Sequence, residues 1–449
     1  MQDGQTARRI WGWYFFDWAS QPYNTLLVTF IFGPYLKDLM GQGAEAQAAW
    51  GYAMGLAGIV IACLAPVLGS IADHTGPRMR LRFIWICSGL YVVGALELWE
   101  AAPDHFDLWR TLGFFGLGLV GMELATIFTN AMLPELGPRS QLGRISGTGW
   151  AFGNLGGLIS LIFVLLLLAE SGPSGHTLLG IPPILGLDPA VREGTRAVGP
   201  FTALWYVVFM IPFFAWVREV GDPTRPGLAT AARRAWPELR NALIALSARR
   251  SLATFLAASM FYRDALNGLY TFGGIYAAGV LGWTVTDVGI FGIVAIIAAT
   301  VVGWIGGQCD ARFGPKAVMM TALVTLCLVT CIAVTISRDG VLGFSTRPGS
   351  PWPDVAFYAV GAIIGAAGSV LQASSRGMMV RQADPARITQ GFGLYALTGK
   401  ATAFLAPFSV ALVTDLSGSQ QIGIFPLLAL FLVGLILLVW VRAEGDTSR

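Results

Sequence analysis

The sequence is poor in charge. Only 12% of its 449 residues are Asp, Glu, Lys or Arg, against roughly 25% in soluble domains. A soluble chain of this length could not cover its surface with so few, and 55% of the residues are hydrophobic with a mean hydropathy of +0.64. This excludes a string of soluble domains, and also disorder, a coiled coil and a disulfide-stapled scaffold. Cysteine is scarce: Cys63, Cys87, Cys309, Cys327 and Cys331 all fall in or beside apolar runs, where thiols serve as packing. Cys327 and Cys331 share a helix face, but without histidine or carboxylate company they make no metal site. The three histidines, His74, His105 and His176, fall in expected loops.

Two further absences concern chemistry. No phosphate-cradling glycine loop ends in a lysine, so the chain carries no built-in ATP pump. No Cys–His pair or buried histidine offers an integral-membrane enzyme its nucleophile and base. No cofactor is expected. A net charge of +3 is too small to argue for nucleic acid, and a non-transporting sensor would usually add a soluble signalling domain that is not present here.

What the chain has is apolar stretches long enough to cross a bilayer. A crossing helix needs about 20 mostly apolar residues. Twelve such stretches are expected, at 11–39, 48–72, 82–101, 107–133, 145–169 and 199–217, then 251–280, 285–308, 316–337, 355–379, 389–414 and 422–442. Backbone polar groups in lipid must be satisfied internally, and barrel-like alternation is absent, so the fold class is all-α and integral to the membrane. The first stretch follows Arg8 and Arg9 but is too long and too polar for a signal peptide, with Asp17, Gln21, Pro22 and Asn24 inside it. With both termini cytoplasmic, about twenty basic residues fall on that side and about six on the other, which sets the expected orientation.

The polar connection 218–250 divides the chain into six spans plus six: an N-terminal bundle over 1–217 and a C-terminal bundle over 251–449. Within it Trp236, Leu239, Leu243 and Leu246 recur at helical spacing opposite Arg233, Arg234 and Arg240, a basic amphipathic strap suited to the headgroup plane. The stretch 170–199, rich in Gly and Pro, reads either as a lid or as a disordered crossing.

The halves repeat each other weakly. Span one, YFFDWASQPYNTL, aligns with span seven, FYRDALNGLYTFG, placing Asp17 opposite Asp264. Spans four and ten place Asn130 opposite Arg376, and SGTGWAFGN at span five matches QGFGLYALT at span eleven. Duplicated halves around a binding site are the architecture of secondary transporters. The loop after span two carries Gly69, Asp73, Gly76 and Arg78, and resembles the motif between the second and third spans of the major facilitator superfamily. That resemblance implies a conformational latch that does not touch substrate. A second copy, Gly306, Asp310, Gly314 and Lys316, has one extra residue between its Asp and Gly.

Three stretches narrow the resemblance: DWASQPYNT, SGTGWAFGNLGG, and the region holding Gln372, Ser375, Arg376, FGLY at 392–395 and Lys400. They are similar to the branch of fungal vacuolar amino-acid effluxers linked to autophagy and their uncharacterised bacterial relatives. The resemblance implies a twelve-helix major facilitator fold of two pseudo-symmetric bundles, and amino-acid export.

Six ionisable residues lie at membrane depth: Asp17, Glu123, Arg263, Asp264, Arg376 and Lys400. Each costs about 2.5–3.5 kcal/mol on insertion scales and so requires a reason. Three acids and three bases allow mutual pairing. Polar neighbours line up with them: Ser20, Gln21 and Asn24 with Asp17, Thr126 and Asn130 with Glu123, and Asn267 and Tyr270 with Arg263. Arg263 and Lys400 sit about 11–12 residues into their helices, near the midplane, and are the candidate grips for a carboxylate. Asn24, Gln21, Asn267, Tyr270, Gln372, Arg376 and Tyr395 complete the substrate candidates, while Asp17, Glu123 and Asp264 are the candidate proton carriers. The competing reading of these charges is a static network that only locks helix packing. Gly149, Gly153 and Gly157 form a close-packing face on span five. The expected protein is a monomeric secondary transporter of a small polar or zwitterionic solute in a bacterial inner membrane, surrounded by lipid. A proton is its candidate coupling ion, and a lipid translocase or organic-anion carrier on the same fold is the alternative.

Overall fold

The apolar runs do become helices, because only a helix satisfies its own backbone where water is absent. The computed structural model describes residues 2–41, 43–75, 77–130, 132, 135–137, 139–170, 174–217, 237, 240, 244, 246, 249–382, 394–395, 398–399 and 402–446. At 2–5, 62, 65–67, 69–75, 77–78, 139–144, 146–147, 151, 304, 307–308 and 311 it describes the backbone alone. Most of the connection at 218–250, with its expected amphipathic strap, lies outside the described residues.

In chain order the helices are α1 (Gln2–Pro22), running directly into a π-helix at Tyr23–Phe30, α2 (Phe32–Met40), α3 (Gly43–Thr75), α4 (Pro77–Leu96), α5 (Leu108–Asn130) and α6 (Arg139–Leu167). A short α7 (Glu193–Arg196) precedes α8 (Val198–Trp216). Then come α9 (Arg250–Val280), α10 (Val285–Phe313), α11 (Pro315–Val334), a two-residue hairpin of β1 (Gly340–Val341) and β2 (Phe344–Ser345), and α12 (Trp352–Gln382). The chain ends with α13 (Leu405–Ser417), α14 (Gln420–Gly423) and α15 (Phe425–Trp440). Among the described residues eight helices are long and apolar enough to cross a membrane. The other stretches expected as spans are also helical where described, in α1 with its π continuation, α3, α9 and α13. This is an all-α, multi-pass integral membrane protein.

Local chemistry sets the helix ends. Pro77 and Pro315 stand at the first positions of α4 and α11, where a missing N–H costs nothing. Thr284 and Asp287 form a reciprocal capping box at the start of α10. Gly314, at φ 79°, joins α10 to α11 in a one-residue corner that only glycine adopts readily.

Internal packing groups the chain into two units: Met1–Val28 with Val60–Ala242, and Thr29–Ile59 with Leu243–Arg449. In the first unit α1 lies against α6 and α8. Its aromatic core stacks Tyr91 on Tyr206 with ring centroids 3.9 Å apart. The Tyr23 hydroxyl reaches the Phe115 carbonyl at 2.6 Å, and the Trp13 indole N–H the Thr129 carbonyl at 2.8 Å. Glu135 accepts from Arg9 at 3.1 Å and also pairs with Arg80, tying the start of α1 to the start of α4.

In the second unit the first half of α3 packs on α13 through Gly51, Gly55 and Gly58. A Cβ at these positions would come within 2.6 Å of Ala411 Cβ, 3.3 Å of Phe408 Cβ and 2.8 Å of Phe404 Cα. Beside this stripe Gln47, fully buried, donates to the Thr414 hydroxyl at 2.6 Å and accepts from Gln420 at 3.2 Å. The start of α9, the end of α12 and the tail after α15 are knotted by Gln382, Ser251 and Asp446. Ser251 donates to Gln382 at 2.7 Å, and its amide donates to Asp446 at 2.9 Å.

The described part of the stretch 170–199 carries short helical turns and is anchored by side chains. Glu170 is buried at its base and accepts from the Gly194 amide at 2.7 Å, the Thr195 amide at 3.0 Å and the Thr195 hydroxyl at 2.6 Å. Arg196 donates twice to the Trp99 carbonyl, at 2.6 and 2.8 Å, and lies over the Trp99 ring. Glu170→Ala strands three donors and is expected to cost about 2–4 kcal/mol. Limited proteolysis checks this: the variant should be cut within 174–197 at protease levels that leave the native chain intact, and equal resistance would show that the carboxylate is not the anchor.

Candidate functional site

The polar stripe of α1 is placed by glycine. Asp17, Gln21 and Thr25 recur one turn apart and lie against Gly149, Gly153 and Gly157 of α6. A Cβ on Gly153 would come within 2.9 Å of Asp17 Cβ, and one on Gly157 within 2.9 Å of Gln21 Cγ. With no side chains between, the two backbones approach closely and leave Asp17 and Gln21 half-buried. The helix then changes register. Pro22 has no N–H to give to the Trp18 carbonyl, and the Trp205 indole supplies the missing donor at 3.1 Å. Beyond it the backbone runs in π geometry over Tyr23–Phe30, carrying Asn24 half-buried; a π segment of this kind inside a helix often marks a functional site. Glu123 is half-buried on α5, with Thr126 on the same face.

In the second unit the central element is α9. Arg263, half-buried, donates Nη1 to the Tyr395 carbonyl at 3.0 Å and lies 4.4 Å above the Tyr395 ring. Tyr395 is itself held. Its hydroxyl is 2.5 Å from Ser375 Oγ, which is 2.5 Å from the Tyr262 hydroxyl, and its ring stacks on Phe255. Ser375 lies on the polar face read from span ten, yet its part as the bridge between two tyrosines from different segments is not visible in one helix's periodicity. Asp264, one residue on, is buried and accepts the Ala406 amide at 2.7 Å. Tyr270 and Gln372, two of the substrate candidates, meet through a side-chain hydrogen bond between α9 and α12. Asn267 is exposed and Arg376 half-buried. Lys400 lies outside the described residues.

A small cleft of about 50 Å³ lies beside Tyr270. Its walls are almost wholly apolar, with Phe30, Tyr276, Phe291, Phe357 and Gly361 prominent. Tyr270 thus has its ring in this wall and its hydroxyl on Gln372.

The two copies of the latch motif fare differently. Gly76 and the side chains of Asp73 and Arg78 lie outside the described residues, as do the surroundings of Gly69. In the second copy Asp310 faces α12, where Ser374 hydrogen-bonds it and Arg381 supplies favourable charge. Lys316 goes elsewhere, donating to the Val439 and Val441 carbonyls at 2.9 and 2.7 Å and so closing the C-terminus of α15. Glu135 was not singled out from the sequence; its Arg80 partner follows the first motif copy, and only the fold brings them together.

This geometry can do two things: present a planar cation backed by an aromatic ring, and keep carboxyls largely out of water beside close-packed glycine. The sequence profile of the family described as vacuole effluxer Atg22 like matches residues 38–448. The chain belongs to this family. An uncharacterised transporter of Bacillus subtilis, YxiO, described as of the major facilitator type, is 22% identical over 445 residues, 97% of this chain and 95% of its own length. Autophagy-related protein 22 of Coccidioides immitis is 25% identical over 266 residues, 55% of this chain but only 43% of that longer protein. Among solved structures the xylose transporter XylE from E. coli superposes with a TM-score of 0.64 at 12% identity, covering 99% of this chain and 97% of its own. The last likeness shows the fold, that of the major facilitator transporters. The relatives are transporters, not enzymes, and this chain is a transporter of the same type.

The glycine stripe gives a direct test. In a helix Gly→Ala gains about 1 kcal/mol of propensity, but at Gly153 the new methyl meets the Asp17 backbone, and overpacking costs about 1–3 kcal/mol. Gly153→Leu, which no shift of a side-chain end can accommodate, is expected to lower the melting temperature in detergent clearly, with Gly153→Ala lying between it and the native chain. Equal melting of all three would show that α1 and α6 are not in close contact.

Proposed function

We propose that the protein is a secondary active transporter that exports a small zwitterionic solute, amino acids first, from a bacterial cytoplasm across the inner membrane. The observation that carries this reading is Arg263: a half-buried cation in mid-helix, seated on the Tyr395 ring and carbonyl, with the buried carboxylate Asp264 beside it in the chain. A guanidinium so placed grips a carboxylate through two parallel N–H···O bonds, and carboxyls such as Asp17 and Glu123 are suited to an ammonium group or a proton. Arg263, Arg376 and Lys400 are assigned to the anionic end of the cargo, and Gln21, Asn24, Asn267, Tyr270, Gln372 and Tyr395 to its polar contacts. Asp17, Glu123 and Asp264 are the proton carriers. The motif residues Gly69, Asp73, Gly76, Arg78, Asp310 and Lys316 act in the change of conformation, with both chain ends in the cytoplasm. The six-plus-six division at 218–250 and a monomeric state belong to the same reading. Cargo and proton shift the balance between conformers, and only differential binding to those conformers drives the shift.

The relationship to vacuole effluxers supports export and the cargo class. A second reading, a lipid or lysolipid translocase, is supported by the apolar walls of the cleft beside Tyr270, which suit an acyl chain better than a polar cargo.

The deciding experiment is flux of a labelled amino-acid mixture in proteoliposomes, with and without an imposed pH gradient. Gradient-dependent flux is expected, and Arg263→Ala should reduce it at least tenfold while the protein remains folded by gel filtration. Native flux in Arg263→Ala would remove that residue from the site. No amino-acid flux, with transfer of labelled lysolipid between leaflets instead, would establish the second reading.

A further inference from the structure

Arg263 and Asp264 are neighbours of opposite charge, and they hold the two sides of one interruption in the eleventh pass. On the near side Arg263 donates to the Tyr395 carbonyl at 3.0 Å and lies against Gly399, where any side chain would collide with the guanidinium. On the far side Asp264 Oδ2 accepts the Ala406 amide at 2.7 Å. Among the described residues between them, 402–404 form a turn before α13 begins at Leu405.

Pro407 causes the interruption. It has no N–H for the carbonyl of Ala403, and its ring crowds that carbonyl. The Leu405 amide folds back on the Thr402 carbonyl at 2.8 Å, and the Phe408 amide bonds Phe404 at 2.9 Å. In this first turn Ala406 is therefore the amide that a side chain takes. That side chain is only 2% exposed, and its second oxygen, Oδ1, is buried with no hydrogen-bond partner among the described residues. A carboxylate with one oxygen on a helix N-terminus and the other bare has an immediate use for a proton.

We propose that Asp264 is a positioning residue whose charge fixes the interruption in the eleventh pass, and that a proton on Asp264 loosens α13 while Arg263 keeps its hold on the preceding segment. A charge-assisted hydrogen bond is about twice as strong as a neutral one, so protonation weakens the far-side hold without removing it. Among the described residues the charged and titratable groups around Asp264 are few. Its own helix contributes Arg263 and Tyr262, and the segment before the interruption Tyr395. On α12 stands Arg376, and on α13 Asp415, more than two turns beyond Ala406 and bonded to Tyr52. Helix α15, packed on α9, carries no ionisable side chain. The half of α3 that presses Gly58 on Phe404 carries Glu45, near its start, and Tyr52, the partner of Asp415.

This deepens the assignment of Asp264 as a proton carrier, and its test uses no cargo, so failure of the amino-acid reading leaves it standing. The measurement is hydrogen exchange at the amides of 402–410 in the full chain in lipid nanodiscs between pH 5 and pH 9, corrected for the intrinsic rate. In the native chain protection at Ala406 is expected to fall roughly tenfold towards pH 5. Asp264→Asn keeps an acceptor but no titration, and its protection should be flat. Asp264→Ala should lose protection at every pH, and Pro407→Ala added to it should restore protection by letting the helix run through. The same pH slope in Asp264→Asn as in the native chain would overturn the proposal. So would native protection in Asp264→Ala, or no pH dependence in the native chain.

Discussion

Everything in this molecule answers to one constraint: a polar group at bilayer depth has no water to fall back on. An unsatisfied backbone group there costs several kcal/mol, and a lone charge more. Several buried polar groups are accordingly matched to specific partners. The Arg263 guanidinium takes a carbonyl and an aromatic face, Gln47 takes Thr414 and Gln420, and Asp17 lies against Gly149 and Gly153 of α6. The same rule governs the helix ends, where Glu170 gathers the donors of α7 and Lys316 the last carbonyls of α15.

Proline shows how the constraint is turned to advantage. Pro22 and Pro407 each remove one donor from a helix inside the membrane, and in each case a distant side chain answers the disturbance. Trp205 fills the carbonyl left at Trp18, and Asp264 receives the amide beside Pro407. A helix broken in this way is no longer self-sufficient. Its geometry depends on a residue more than a hundred positions away, and a transporter can exploit that dependence because the remote group can change its charge or its distance.

Much of this was legible in the chain. The fold class followed from hydropathy and low charge, and the stripe Gly149, Gly153 and Gly157 was readable from its spacing as a close-packing face. Tyr270 and Gln372 were each legible as members of a polar helix face, but not as partners of one another. The residues that escaped were those whose meaning lies in a partner far along the sequence. Ser375 bridges Tyr262 and Tyr395, Glu135 bridges Arg9 and Arg80, and Glu170 sits 24 residues before the amide it holds. Periodicity reports which face of a helix is polar, but not what stands opposite. Spacing likewise put Asp310 and Lys316 in one motif, although their side chains serve different helices.

Among the described residues the eight helices apolar enough to cross alone do not include α1 or α9. Each carries ionic groups whose partners are made later. Asp17 is settled by α6, which begins at Arg139, and Arg263 by Tyr395. During synthesis, therefore, each of these ionic groups leaves the ribosome more than a hundred residues ahead of the segment it packs on. A nascent chain halted before residue 139 would hold α1 without the glycine face against which it lies in the finished protein.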